Sequence, residues 1–121
     1  GPPSPPTGAM ISGDIQSSVG GVQAASAALS STSGVTCSRN GNQFTCNHDF
    51  LAPQPQTLTL SGYYKNGNTD LWACVNKPEL LVIPPVYVQS VPKSTTWTLP
   101  LPSNGDLSGV VITISKTACA P

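Results

Sequence analysis

The chain reads as an all-β protein, an antiparallel β-sandwich closed by two disulfides. Three observations predict it. Asn40-Gly41, Asn66-Gly67 and Asn104-Gly105 punctuate short runs rich in β-branched residues, and such pairs tolerate the positive φ of tight hairpin turns. Charge is scarce, five basic and five acidic residues among 121, while proline (13) and glycine (11) are abundant. Four cysteines, an even number, suit two disulfides in an oxidising compartment.

Residues 1–9 are Pro-rich and read as an extended linker to a larger chain or as an added tail, with residues 10–121 a single domain. Gly1 to Thr7 has neither the basic nor the apolar region of a signal peptide, so an exported protein would be present here as its mature form or as a recombinant fragment. Residues 10–30 admit two readings. Ile11, Ile15, Val19, Val22, Ala25 and Leu29 make a helical stripe, but Gly20-Gly21 and the many serines oppose it. Strands are favoured: Ile11 to Ile15 alternates, Ser17 to Gly21 turns, and Val22 to Ser30 runs on as a second strand.

Residues 34–50 form a hairpin with a cysteine on each arm. A two-residue turn at Asn40-Gly41 would set Cys37 opposite Phe44, whereas a four-residue loop from Asn40 to Gln43 sets Cys37 opposite Cys46. A cross-strand disulfide selects the second register, because bridged Cα atoms must lie about 5.5 Å apart. Alternation then gathers Val35, Cys37, Phe44, Cys46, His48 and Phe50 on one face, the core face.

A proline-stiffened corner, Leu51 to Gln56, precedes a strand from Thr57 to Tyr64 with Leu58 and Leu60 on one side. Asn66-Gly67 returns the chain into Leu71 to Val75. Leu80 to Val91 is interrupted by Pro84-Pro85 and reads as an edge strand or a crossing between sheets. Pro100 and Pro102 suggest a further edge over Thr95 to Leu101, and Val110 to Ser115 is the clearest strand. Counting on from Ile112 and Ile114, Cys119 falls on the opposite face, as Cys74 does relative to Leu71, Ala73 and Val75. Of the three pairings that four cysteines allow, this parity favours Cys37–Cys46 with Cys74–Cys119.

Zero net charge leaves no basic surplus for nucleic acid and none for docking to anionic membranes. No apolar run approaches the ~20 residues of a membrane span. The cysteine spacings, with no C-x-x-C pair and one histidine, do not suit zinc, and no cofactor motif is present. His48-Asp49 is the one place for a general base, without a nucleophile elbow or triad partner, and reads as a strand-end histidine hydrogen-bonded at a sheet rim. Asp14, Asp49, Asp70, Glu79 and Asp106 are scattered over separate loops and nominate no catalytic pair. No catalytic or metal residue is therefore expected. Tyr63, Tyr64, Trp72, Tyr87 and Trp97 remain as candidate ligand-binding residues: exposed, they make a platform for sugar stacking or protein contact, and buried, they fill the core.

The succession Ile11-Ser12-Gly13-Asp14-Ile15, Gly41-Asn42-Gln43-Phe44-Thr45-Cys46, Leu51-Ala52-Pro53 and Thr57-Leu58-Thr59-Leu60-Ser61-Gly62 resembles the prealbumin-like sandwiches. These include carboxypeptidase-regulatory-like and Cna-B-type stalk modules. The resemblance covers residues 11–62 and implies an immunoglobulin- or prealbumin-like sandwich. The chain departs from it in carrying Cys where Thr or Val is usual, in its long small-residue second strand, and after Tyr64. The isopeptide Lys/Asn pair of some Cna-B domains is not matched.

The expected function is a non-enzymatic structural or adhesive module, extracellular, at the cell surface or periplasmic. It would be part of a larger chain or assembly and contact a protein or glycan surface ligand. A carbohydrate-binding module using the Trp and Tyr residues is one alternative. The other requires residues 10–30 to be helical, when helix plus disulfide-closed sheet resembles a type IV pilin-like subunit.

Overall fold

The computed structural model describes residues 6–63, 71–83, 94–100 and 105–119. Among them are nine strands: β1 Gly8–Ser17, β2 Ala28–Ser31, β3 Val35–Asn40, β4 Gln43–Asp49, β5 Thr57–Ser61, β6 Trp72–Val75, β7 Leu81–Val82, β8 Ser94–Thr98 and β9 Leu107–Ser115. They form two sheets, one ordered β3-β4-β1-β9-β6 and the other β2-β5-β8-β7. Ile11, Ile15, Phe44 and Ile112 from the first meet Leu58, Leu60 and Trp97 from the second in one buried core. The protein is all-β and sandwich-like.

Alternation makes these faces. In β5, Leu58 and Leu60 are buried while Thr57, Thr59 and Ser61 lie partly exposed, and Thr59 shares a 2.8 Å hydroxyl bond with Thr96 across the β5–β8 pair. β1 begins at Gly8, inside the stretch read as linker, and pairs Gly8 with Asp49 and Ala9 with His48.

Cys37 faces Cys46 and Arg39 faces Phe44, the register that a cross-strand disulfide demands. The two cysteines are bonded, with Cα atoms 4.0 Å apart. Pairing continues one step beyond the expected four-residue loop, joining Asn40 to Gln43 and leaving Gly41-Asn42 as the turn. Gly41 has φ +62°, the first position of a primed turn, whose twist matches that of the arms.

Three expectations are corrected. The sandwich is not purely antiparallel, because β1 runs parallel to β9 and the first sheet is mixed. A parallel pair needs a long crossover, and nearly the whole chain lies between these two strands. Val22 to Ser30 is not one strand: Ala24–Ser26 form a single 3₁₀ turn before the short β2. The buried Ala24 and Ala27 anchor that turn, and the Arg39 guanidinium donates to the carbonyls of both. Nor is the strand at Thr95 an edge. β8 lies between β5 and β7, and Pro100 falls beyond its end at Thr98, where it breaks no ladder bond.

The short β7 does lie at an edge of the second sheet. Pro84-Pro85, Asn66-Gly67 and Asn104 lie outside the described residues. Residues 10–30 contain no α-helix, so the condition for the pilin-like alternative is not met. No helix among the described residues is long and apolar enough to cross a membrane.

Candidate functional site

β6 is an edge of the first sheet and β7 an edge of the second, and the chain between them turns over Lys77 to Leu80. The local sequence dictates that turn. The Leu80 amide donates to the Lys77 carbonyl at 3.1 Å, with Pro78 at the position whose fixed φ suits a β-turn. Asn76, just before it, extends the β6–β9 ladder with its side chain: Nδ2 donates to the Gly109 carbonyl (3.0 Å) and Oδ1 accepts from the Val111 amide (2.8 Å). These bonds hold a bulge in β9, where Ser108 and Gly109 together oppose Ser12 of β1.

Between the two edges lies a cleft of about 380 Å³. Its walls include Trp72, Val75, Leu80, Val82 and Trp97, with the Cys74–Cys119 disulfide on one side and Lys77 beside the turn. Trp72 is half-buried, on the strand face opposite the buried Leu71 and Ala73, as alternation requires. Cys74 shares its side, and the bond to Cys119, with Cα atoms 5.4 Å apart, is the pairing that parity favours.

The aromatic candidates divide. Trp97 and Tyr63 are each 1 % exposed, core residues rather than members of an open platform. Trp97 alternates inward on β8 opposite Leu58. Burial pushes the Tyr63 phenol above its ordinary value, and its hydroxyl bonds Thr95 Oγ1 at 2.5 Å. Trp72 reaches the cleft, with Trp97 against it from the core side. Tyr64 and Tyr87 lie outside the described residues. Lys77, Leu80 and Val82 were not among the residues singled out, although Lys77-Pro78-Glu79 directly after a strand carries the signal of a turn at a sheet edge.

His48 is taken up by packing. It is buried, its Nδ1 faces Gln56 Oε1 at 3.2 Å, and its ring meets Phe50 edge-on at 4.8 Å. Gln56 Nε2 donates to the Asp49 carbonyl at 2.6 Å. The Asp49 carboxylate accepts the Leu51 amide, ordinary turn chemistry, and Asp106 accepts the amide of Met10. No group of three His, Cys, Asp or Glu residues able to hold a metal occurs among the described residues.

Searches with family models, curated proteins and solved structures find no match to this chain.

Proposed function

We propose that the chain is a non-enzymatic extracellular module, an immunoglobulin- or prealbumin-like sandwich that works by binding. The observation that carries this reading is the cleft between the β6 and β7 edges, walled by Trp72 and braced by the Cys74–Cys119 disulfide. An aromatic residue half-open beside an apolar recess is the usual anatomy of a recognition site. The two disulfides support placement outside the cytosol, where such bonds persist. Engagement of His48 with Gln56 supports a structural role for the one side chain that invited a catalytic reading.

The test screens the wild-type chain and Trp72→Ala against glycan, protein and small-molecule panels. Binding that falls at least tenfold in the variant supports the reading. Undiminished binding puts the recognition surface elsewhere, and substrate turnover abolished by His48→Ala refutes the non-enzymatic assignment. Carbohydrate binding is the second reading, favoured by the partly exposed Trp72, whose indole has the π-face that sugar stacking uses.

A further inference from the structure

We infer that the cleft at Trp72 takes an apolar molecule carrying one anionic group, rather than a sugar, with Lys77 as the counter-charge; this rests on the cleft being the binding site. The walls are aliphatic, aromatic and sulfur: Trp72, Val75, Leu80, Val82, Trp97 and the Cys74–Cys119 bridge. What decides the ligand class is which polar side-chain atoms remain available there. Asn76 lines the cleft, but both polar atoms of its side chain are bonded to β9. Thr95 also lines it, and its hydroxyl is joined to the Tyr63 phenol.

Lys77 is left. Among the described residues it is the one charged side chain of the lining, no carboxylate lines the cleft with it, and it forms no ion pair. Its Nζ lies beside Gly109 of the bulge, at an ordinary contact distance of 4.0 Å from where a β-carbon there would stand. The neighbouring Glu79 is exposed and is not part of the lining.

A sugar carries a hydroxyl on nearly every carbon, and each one that enters without a partner loses its hydration uncompensated. The side chains of this cleft offer such a ligand few free partners. An amphiphilic anion makes the opposite demand, burying an apolar body against the walls and needing one cationic contact. The volume of about 380 Å³ lies at the small end of ligand pockets and suits roughly a dozen non-hydrogen atoms. A medium-chain or aromatic carboxylate meets all three conditions.

The experiment titrates the intact, oxidised chain with decanoate, decanol, decyltrimethylammonium and cellobiose below their micelle concentrations, following tryptophan emission and cleft-residue NMR shifts. Wild type, Lys77→Gln and Trp72→Ala are compared, each with a thermal melt to confirm folding. Decanoate is expected to bind two- to five-fold more tightly than decanol at low salt, the range of a partly exposed ion pair. Lys77→Gln should erase that preference, and Trp72→Ala should weaken both ligands. Decanol matching decanoate in the wild type, a preference that survives Lys77→Gln, or cellobiose binding in place of decanoate would each overturn the inference while leaving the cleft as the binding site. If no probe perturbs the cleft, this inference and the assignment of the cleft as the site both fall.

Discussion

Nδ1 of His48 lies 3.2 Å from Oε1 of Gln56, and both side chains are buried. Because Gln56 Nε2 donates to the Asp49 carbonyl, Oε1 is the atom turned to the histidine, and an amide oxygen only accepts. Nδ1 therefore carries the proton, and Nε2 has no partner among the described residues. Gln56→Leu would strand the Nδ1–H, while the Asp49 carbonyl keeps the amide of Ala52, costing about 1–3 kcal/mol. His48→Phe would strand Gln56 Oε1 and cost about 1–3 kcal/mol. The double variant removes donor and acceptor together, so it should cost clearly less than the sum. Urea denaturation of the four proteins measures this, and additivity within about 0.5 kcal/mol would refute the coupling.

Gly13 lies where β1 closely approaches β9. A methyl built there would collide with the carbonyl of Val110, a backbone atom that cannot rotate away. Gly13→Ala must push the strands apart across the one parallel pair of the sheet, and it should cost more than about 3 kcal/mol or prevent folding. Gly20 makes the control, since a β-carbon there meets nothing within 4 Å. Gly20→Ala should leave stability unchanged or raise it by up to about 1 kcal/mol through the unfolded chain. A thermal melt on each variant suffices, and a fully stable Gly13→Ala protein would contradict the register described.

Local pattern was the legible part of this fold, and long-range adjacency was not. Two cysteines nine residues apart selected a register that the Asn-Gly pair alone would have misplaced by moving Phe44 opposite Cys37. Parity did the same for Cys74 and Cys119, which lie far apart in sequence but on comparable faces. The β1–β9 pair left no trace, because a parallel pairing is joined by no turn and so has no turn residues to read. Prolines near Thr95 suggested an edge, yet a two-residue strand, Leu81–Val82, is enough to cover β8.

The cleft was half visible. Alternation correctly turned Trp72 away from Leu71 and Ala73. Its neighbours, however, come from β6, the Lys77 turn, β7 and β8, which meet only once both sheets are assembled. Trp97 shows the limit from the other side: an aromatic residue among threonines can face either way until its partner Leu58 places it inside.

The Cys74–Cys119 bridge joins residues 45 apart in sequence, whereas Cys37–Cys46 joins residues 9 apart. On loop entropy alone these are worth about 4 and about 2.5 kcal/mol. Cys74→Ala with Cys119→Ala should lower the unfolding free energy by about 4 kcal/mol and also open the wall of the cleft beside Trp72. Chemical denaturation gives the first quantity and tryptophan emission the second. A loss below about 1 kcal/mol would mean that the C-terminal segment is held to β6 by something other than this bond.

Tyr63 makes stability sensitive to alkaline pH. Burial raises its phenol above the ordinary 10.0, while the bond to Thr95 Oγ1 pulls the other way. Above pH 10 the unfolded chain therefore loses this proton while the folded chain still holds it. The contribution is complete below pH 10 and is lost as pH rises through the folded value. Tyr63→Phe has no such proton to lose. It should be less stable than wild type at neutral pH by about 1 kcal/mol, the hydrogen bond being gone. As pH rises above 10 its urea midpoint should then fall less steeply, narrowing the gap. Two midpoint curves running parallel across that range would show that the phenol is not held neutral by the fold.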